Sequence, residues 1–357
     1  MTGLKLAVVG VGALGRHHAR ILSELPNVDL VAVADCDAER GRMVADRCQT
    51  QFVSDPCSLI GTADAVVIAV PTKFHLQTAL PFLEHRLPVL VEKPLALDLS
   101  EAEQLLAAAE ASETLLQVGH IEQFNPATVA ARPLCGQPKY IRCERVSPYP
   151  FRSMDIGVVH DLMIHDLDLI LSLVEDEVHD VSAFGVSLMG AQEDCVQARV
   201  TFRGGCIADL TASRVSPVAT RTMQVWSASG TVSIDFASRE IVGYRPSEML
   251  LYGTSPVERA QQAGADIEQL KQDVFGKFLN LDRPTVPPAD ALTAELQDFV
   301  DCVQYGRSPR VGGPEALKAM RLAERVLESV AGHQWNGQAA GPIGPQPVFP
   351  VLRRMAG

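Results

Sequence analysis

The sequence has no long hydrophobic run. Apolar residues make up 47% of the chain but come in short stretches such as Leu30 to Ala34 and Ala65 to Val70. These fall far short of the roughly 18 consecutive residues that span a bilayer, so no membrane helix is expected. Zinc-type and redox-type cysteine pairs are missing as well. The eight cysteines, at 36, 48, 57, 135, 143, 195, 206 and 302, never form CxxC, so no metal is expected and the thiols read as buried and free. Positive charge is scarce, with 31 Lys and Arg against 43 Asp and Glu and a net charge of −12. Such a molecule repels nucleic acid phosphate and anionic lipid, which excludes both as partners of the whole surface but leaves room for a local cationic pocket. The start of the chain lacks the basic n-region, apolar h-region and cleavage site of an export signal; it reads as a strand entering a glycine turn, and a cytoplasmic protein is expected. No internal repeat and no domain-length linker is visible.

What is present is enough for two cores. A chain of 357 residues exceeds what one hydrophobic core usually supports. Its first 120 residues alternate short apolar runs with helical stretches. Strands are predicted at Leu4 to Val9, Asp29 to Ala34, Ala65 to Val70, Pro88 to Val91 and Leu115 to Val118. Helices are predicted at Ala13 to Leu25, Ala38 to Arg47, Phe74 to His85 and Ser100 to Ala111, the last opened by a Ser100/Glu103 capping box. Runs apolar on both faces, alternating with amphipathic helices, predict an α/β, Rossmann-type doubly wound parallel sheet over residues 1–120.

Beyond residue 120 the pattern changes. A helix around Val158 to Val174 precedes β-prone stretches at Lys139 to Ser147, Asp180 to Met189, Cys195 to Phe202, Cys206 to Ser213, Arg221 to Ala228 and Thr231 to Phe236. Gly204-Gly205 and Ser229-Gly230 sit where hairpin turns belong. An α+β domain with a large, open, mostly antiparallel sheet is expected over 121–335. From Val196 to Arg203 apolar and polar residues alternate, so one sheet face is buried and the other is open to a partner subunit, which makes a homodimer or homotetramer the expected assembly. Helices near Ala289 to Tyr305 and Pro314 to Val330 close the domain. Residues 336–357, rich in Gly and Pro, read as an extended tail.

The first strand runs into Gly10-Val11-Gly12-Ala13-Leu14-Gly15 and a helix follows at once. Gly10 permits the tight turn, Gly12 lets amides approach a pyrophosphate, Gly15 allows close helix packing, and the helix start at Ala13 and Leu14 supplies positive charge. Asp35, twenty residues after Gly15 at the end of the second strand, suits the two adenosine ribose hydroxyls and repels a 2′-phosphate, which favours NAD over NADP although Arg40 lies near. The other reading of Asp35 is a cap for the helix at Ala38. Ligands of open α/β sheets collect beyond the carboxyl ends of the strands. Val70-Pro71-Thr72 and Glu92-Lys93-Pro94 end two of those strands, with His75 just after the first as a nicotinamide-end residue or a helix cap. In isolation Lys93 reads as a surface lysine.

The glycine turn, Asp35, the Glu92-Lys93-Pro94 tripeptide and the later Asp161-Leu-Met-Ile-His165-Asp166 together resemble the Gfo/Idh/MocA oxidoreductase family, in this order and along nearly the whole chain. The resemblance implies that Lys93, Asp161 and His165 serve catalysis, and that Pro71, Thr72, His75, Glu92 and Lys93 line the cofactor. Asp161 and His165 are i and i+4, neighbours on a helix face, with Asp168 beyond. A carboxylate beside an imidazole fixes its tautomer and raises its basicity, so His165 suits the removal of a hydroxyl proton while Lys93 orients the hydroxyl; the two can also exchange roles. The competing reading makes His165 a satisfied histidine on a core helix with Leu162, Ile164, Leu167 and Ile170. His160 and Asp166 are read as capping or solvating that helix.

Within the family, Val118-Gly119-His120-Ile121-Glu122-Gln123-Phe124-Asn125-Pro126, the segment Arg145 to Arg152 and Leu210-Thr-Ala-Ser-Arg214 are similar to members acting on nucleotide sugars. That similarity implies oxidation of the C3 hydroxyl of UDP-N-acetylglucosamine or a close UDP-amino sugar. It also implies a downstream pyridoxal-phosphate aminotransferase and 3-amino sugars destined for lipid A. Arg145, Arg152 and Arg214 are candidates for the diphosphate and His120 and Asn125 for the sugar, each balanced against a surface or turn role. An inositol or aldose dehydrogenase, and a non-catalytic NAD-binding sensor, remain alternatives.

Overall fold

The computed structural model describes residues 3–151, 156–335, 338–340 and 343–344. They fall into two compact units, the first built from residues up to 124 together with 289–324, the second from 125 onward except that segment.

The first unit opens with β1 (Leu4–Val9), α1 (Gly15–Glu24), β2 (Val28–Ala34), α2 (Ala38–Cys48), β3 (Gln51–Val53), β4 (Ala65–Ile68), α3 (His75–Glu84), β5 (Val89–Glu92), α4 (Leu99–Ala111) and β6 (Leu116–Gly119). The six strands run parallel in the order β3-β2-β1-β4-β5-β6. Every residue of β4 is fully buried, as required of a strand whose two faces are both covered by other elements. The strand order reverses between β1 and β4, and there the carboxyl ends leave the crevice in which doubly wound sheets bind ligands. Two local expectations differ. Helix α1 starts at Gly15 rather than Ala13, and α4 is capped by Asp98, whose Oδ1 accepts from Glu101 N at 2.9 Å. Ser100 therefore lies inside the helix: Asp98 has the extended backbone an N-cap needs and a charged acceptor. Strand β3, a three-residue edge strand, is too short to show a period.

The second unit contains α5 (Pro126–Cys135), β7 (Pro138–Val146), a π-helical turn (Val159–Met163) continuing into α6 (Ile164–Val174), β8 (Val178–Val186), β9 (Cys195–Phe202), β10 (Ile207–Ser213), β11 (Thr220–Ser227), β12 (Gly230–Asp235), β13 (Glu240–Pro246), three short helices α7 (Glu248–Tyr252), α8 (Pro256–Ala260) and α9 (Ile267–Asp273), and β14 (Leu279–Asp282). Its eight strands lie in the order β14-β13-β12-β11-β7-β10-β9-β8. All neighbours are antiparallel except β7 and β10, which are parallel. The expected meander is thus split by β7, which inserts between β10 and β11; alternation along a strand says which face is buried and nothing about which strand lies beside it. Met223, Ile234 and Phe236 of one face meet Thr128, Cys135 and Leu169 of α5 and α6. The other face carries Tyr140, Arg199, Asp209 and the half-exposed Trp226.

Helices α10 (Ala291–Tyr305) and α11 (Gly313–Gly332) follow. Leu292, Leu296, Phe299 and Val300 of α10 join the core of Leu6, Val8, Leu22, Leu30 and Val33. Residues 289–324 therefore belong with the first unit, not with a contiguous 121–335 domain, because the apolar stripe of α10 finds its cover there. Of the tail, Gln334–Trp335 pairs with Gln338–Ala340, and Ile343 lengthens the edge of β8 through Ser187 N to Ile343 O at 2.8 Å and Ile343 N to Gly185 O at 3.1 Å. The rest of 336–357 lies outside the described residues. Among the described residues no helix is long and apolar enough to cross a membrane.

Phe299 is fully buried in the first core, so Phe299→Ala is expected to cost about 3–5 kcal/mol. Urea unfolding reads this directly, and an unchanged midpoint contradicts the placement of α10.

Candidate active site

The glycine turn is shaped by contact. Gly10 has φ +84° and a Cβ there would meet Val70 N at 2.8 Å; a Cβ on Gly15 would lie 1.8 Å from the Gly10 carbonyl oxygen. Around Gly12 nothing lies within 4 Å of where a Cβ would be. Helix α1 has no acidic residue in its first turn and no side-chain cap, and Ala13 and Leu14 are exposed. Its positive end and the space before Gly12 therefore suit a pyrophosphate.

Asp35 follows β2 and is buried. Its Oδ2 accepts from Val11 N at 2.8 Å and Arg40 Nε at 3.1 Å, its Oδ1 from Asp37 N at 2.8 Å and Arg40 Nη2 at 2.5 Å. Burial opposes its charge, but the hydrogen bonds from Arg40, Asp37 and Val11 outweigh burial and hold its carboxyl below the ordinary range. The cap of α2 is Asp37, which accepts from Arg40 N at 3.1 Å, so Asp35 is not spent on that duty.

Glu92 ends β5. Its Oε1 lies 2.6 Å from His18 Nε2 of α1, and its Oε2 accepts from Lys93 N at 3.2 Å. Gly119 of β6 presses against it, since a Cβ there would come within 2.9 Å of Oε2. The Lys93–Pro94 peptide is cis. His75 is buried, with Nε2 3.0 Å from the Val70 carbonyl and Nδ1 3.0 and 3.2 Å from those of Pro94 and Leu95. The ring fills the gap between the loop of Pro71 and Thr72 and the loop of Lys93, and with one N–H in its neutral form it donates to one side and only touches the other. Burial pushes its imidazole below the ordinary value, against the pull of those carbonyls. His120 is fully buried, and burial, then Lys93, lower it to about 3, so it is neutral.

The sequence reading missed two neighbours. One is His18. The other is Glu295, fully buried in the apolar stripe of α10 with neither carboxyl oxygen hydrogen-bonded. Burial, then Glu92 and Asp298, push its carboxyl well up, so it holds its proton. An acid at a position where Leu292, Leu296 and Phe299 set an apolar period was the available signal.

In the second unit, Asp161 lies buried in the π-helical turn and His165 half-buried in the first turn of α6. The π-helical turn that holds Asp161 runs directly into α6, which holds His165. Such turns are frequent at functional sites. His160, Asp166 and Asp168 are buried, not solvating. Asp166 receives Arg145 in a two-pronged pair, Nε at 3.0 and 3.1 Å and Nη2 at 2.8 Å. Arg214 donates through Nε to Asp194 Oδ1 at 2.8 Å and through Nη1 to the Ile156 carbonyl at 2.7 Å. Neither arginine is the open cation that a diphosphate needs: both are buried and committed to internal partners. Asn125 caps α5, accepting from Ala127 N at 3.0 Å. Arg152 lies outside the described residues. Lys93 sits in the first unit and Asp161 and His165 in the second.

Two family profiles match the chain: "Oxidoreductase family, NAD-binding Rossmann fold" over residues 4–120 and "GFO/IDH/MocA C-terminal domain" over 131–233. The UDP-N-acetylglucosamine 3-dehydrogenase of Acidithiobacillus ferrooxidans is 31% identical over 332 residues, 92% of this chain and 98% of that protein. Its solved structure superposes with a TM-score of 0.79 at 30% identity, over 92% of this chain and 98% of that one. The scyllo-inositol 2-dehydrogenase (NAD(+)) of Bacillus subtilis is 27% identical, over 86% of this chain and 88% of that protein. Levoglucosan dehydrogenase in complex with NADH shares the fold, with a TM-score of 0.77 at 17% identity over 92% of this chain and 97% of that one. The chain belongs to the Gfo/Idh/MocA family of NAD-binding oxidoreductases. It is an NAD-dependent dehydrogenase.

Glu295 makes stability depend on pH. Unfolded, its carboxyl ionises in the ordinary range, whereas folded it keeps its proton, so stability falls as pH rises from the ordinary carboxylate value through the raised one. Within that window the loss is about 1.4 kcal/mol per pH unit. Glu295→Gln is expected to remove the slope, leaving the variant more stable than the parent at pH 8 and nearly equal at pH 5. Thermal melts at both pH values check this, and parallel slopes refute it.

Proposed function

We propose that the protein oxidises the C3 hydroxyl of UDP-N-acetylglucosamine, or a close UDP-amino sugar, to the 3-keto sugar. The observation that carries this reading is the 31% identity, over 92% of the chain, to a UDP-N-acetylglucosamine 3-dehydrogenase. The amides of Gly12, Ala13 and Leu14 hold the NAD pyrophosphate, Asp35 the adenosine ribose, and Pro71, Thr72, Glu92 and Lys93 line the nicotinamide end, positioned by His75. NAD supplies the hydride acceptor. Lys93 orients the hydroxyl and favours its developing negative charge. His165 takes the proton, with Asp161 setting its tautomer. With Arg145 and Arg214 committed to buried pairs, Arg152 is the arginine of that set left for the diphosphate. The enzyme acts in the cytoplasm, its keto product going to a pyridoxal-phosphate aminotransferase that makes 3-amino sugars for lipid A. The sheet face of Tyr140 and Trp226, whose rings lie 5.0 Å apart, pairs with a second copy of the chain. A free inositol or aldose substrate is the second reading, favoured by the similarity to scyllo-inositol 2-dehydrogenase.

Purified protein with NAD and a panel of UDP-sugars is expected to give NADH absorbance with UDP-N-acetylglucosamine, with the carbonyl found at C3. No signal with any UDP-sugar sinks the proposal, and turnover of inositol without thermal stabilisation by UDP selects the second reading. Lys93→Ala and His165→Ala are each expected to lower kcat about 10²–10⁴-fold. Asp35→Ala removes hydrogen bonds from a charged acceptor, each contributing about 1.5–3 kcal/mol. NAD affinity, read by titration, is expected to fall at least about tenfold, and an unchanged Kd removes Asp35 from the cofactor site.

A further inference from the structure

The helix that carries Asp161 and His165 has no cap of its own. Gly157 has no side chain, and Val158 at the N-cap position offers no hydrogen-bonding group. The first amides of a helix lack intrahelical partners and need acceptors from elsewhere. Here they come from Glu193, on the segment between β8 and β9: Val158 N donates to the Glu193 carbonyl at 3.0 Å and Val159 N to its Oε1 at 3.1 Å. The carboxyl lies flat against Gly157, where a Cβ would come within 1.9 Å of Oε1 and 2.1 Å of Oε2. Any residue other than glycine at 157 displaces it.

The neighbouring residue secures the same segment. Asp194 accepts from Leu188 N at 2.6 Å, Met189 N at 2.7 Å and Arg214 Nε at 2.8 Å, and Arg214 in turn holds the Ile156 carbonyl at 2.7 Å. Residues 156, 158 and 159 are thus gripped by a buried acid pair and its arginine, all at most 6% exposed.

We propose that Glu193 is a positioning residue for catalysis, setting through its backbone and carboxyl acceptors the first turn of the helix that presents Asp161 and His165. The assignment rests on the reading of those two residues as catalytic. Capping from a distant segment couples the placement of the catalytic turn to the β8–β9 connection, and displacement of reacting groups by about 1 Å costs roughly 10²-fold in rate. Burial pushes the Glu193 carboxyl up, partly countered by the bonds it accepts, and a neutral amide in its place keeps the Oε1 acceptor.

The test compares Glu193→Ala, Glu193→Gln and Gly157→Ala in the full chain. Kinetics with UDP-N-acetylglucosamine and NAD are read beside NAD affinity and amide hydrogen exchange of residues 157–163. Glu193→Ala is expected to lose about tenfold or more in kcat, with NAD affinity within about twofold of the parent and faster exchange across 157–163. Glu193→Gln is expected to return kcat to within about threefold of the parent. Where Glu193→Ala does not fold, Gly157→Ala keeps the glutamate but displaces its carboxyl, and the same loss in kcat is expected. Parental kcat and exchange in Glu193→Ala, or parental kcat in Gly157→Ala with unaltered exchange, overturn the proposal, as does a Gln variant as impaired as Ala. Faster exchange with parental kcat shows instead that Glu193 holds the helix without setting its reacting groups, which overturns this proposal and leaves the function reading standing; that reading fails separately, when the parent protein itself turns over no UDP-sugar.

Discussion

The Glu92 carboxyl joins three pieces of the first unit. One oxygen meets His18 of α1, the other accepts from Lys93 N, and Gly119 of β6 closes on it so tightly that no side chain fits. Because α1 also begins at the glycine turn, one buried acid relates the helix end that suits pyrophosphate to the backbone of Lys93. Hydrogen bonds to charged groups inside a protein are strong where every lone pair is met. His75 lies between the segments that follow β4 and β5, its single N–H donating to a carbonyl of one of them. Glu295, the unbonded acid near Glu92, breaks the local rule that buried polar groups find partners, and such violations concentrate where function demands them.

The second unit relies on buried pairs as well. Arg145 with Asp166 and Arg214 with Asp194 are both nearly inaccessible. Such pairs add little net stability, because desolvation offsets their attraction, but removing one partner costs about 3–5 kcal/mol. Their positions explain their use. Asp166 adjoins His165, so Arg145 of β7 fixes the roll of α6, while Arg214 and Glu193 fix where that helix begins. The arginines expected to meet substrate phosphate instead build the frame around the turn of Asp161 and His165.

The sheet of the second unit has unequal faces. Apolar residues of β11 and β12 turn toward α5 and α6, whereas Arg199 and Asp209 pair across the other face beside Tyr140. Alternation of apolar and polar residues along each strand is the cause.

That alternation was legible in the sequence, as were β1, the glycine turn and the burial of β4, since each depends on local period or on the conformational needs of one residue. Helix α5 was hidden by its two prolines, Pro126 in the first turn, where proline is at home, and Pro133 inside the helix near its end. The Ser100 box lost to Asp98 two residues earlier. What sequence order did not carry was everything settled by partners distant along the chain: the return of α10 to the first core, the insertion of β7 between β10 and β11, and the closure of Arg145 on Asp166. The sequence by itself determined most of the strands and the form of the glycine turn, because short-range sterics and hydrophobic period act within a few residues. Only tertiary structure decided which charges are available, because a buried arginine and an open one are the same letter until an acid from elsewhere in the chain neutralises one of them.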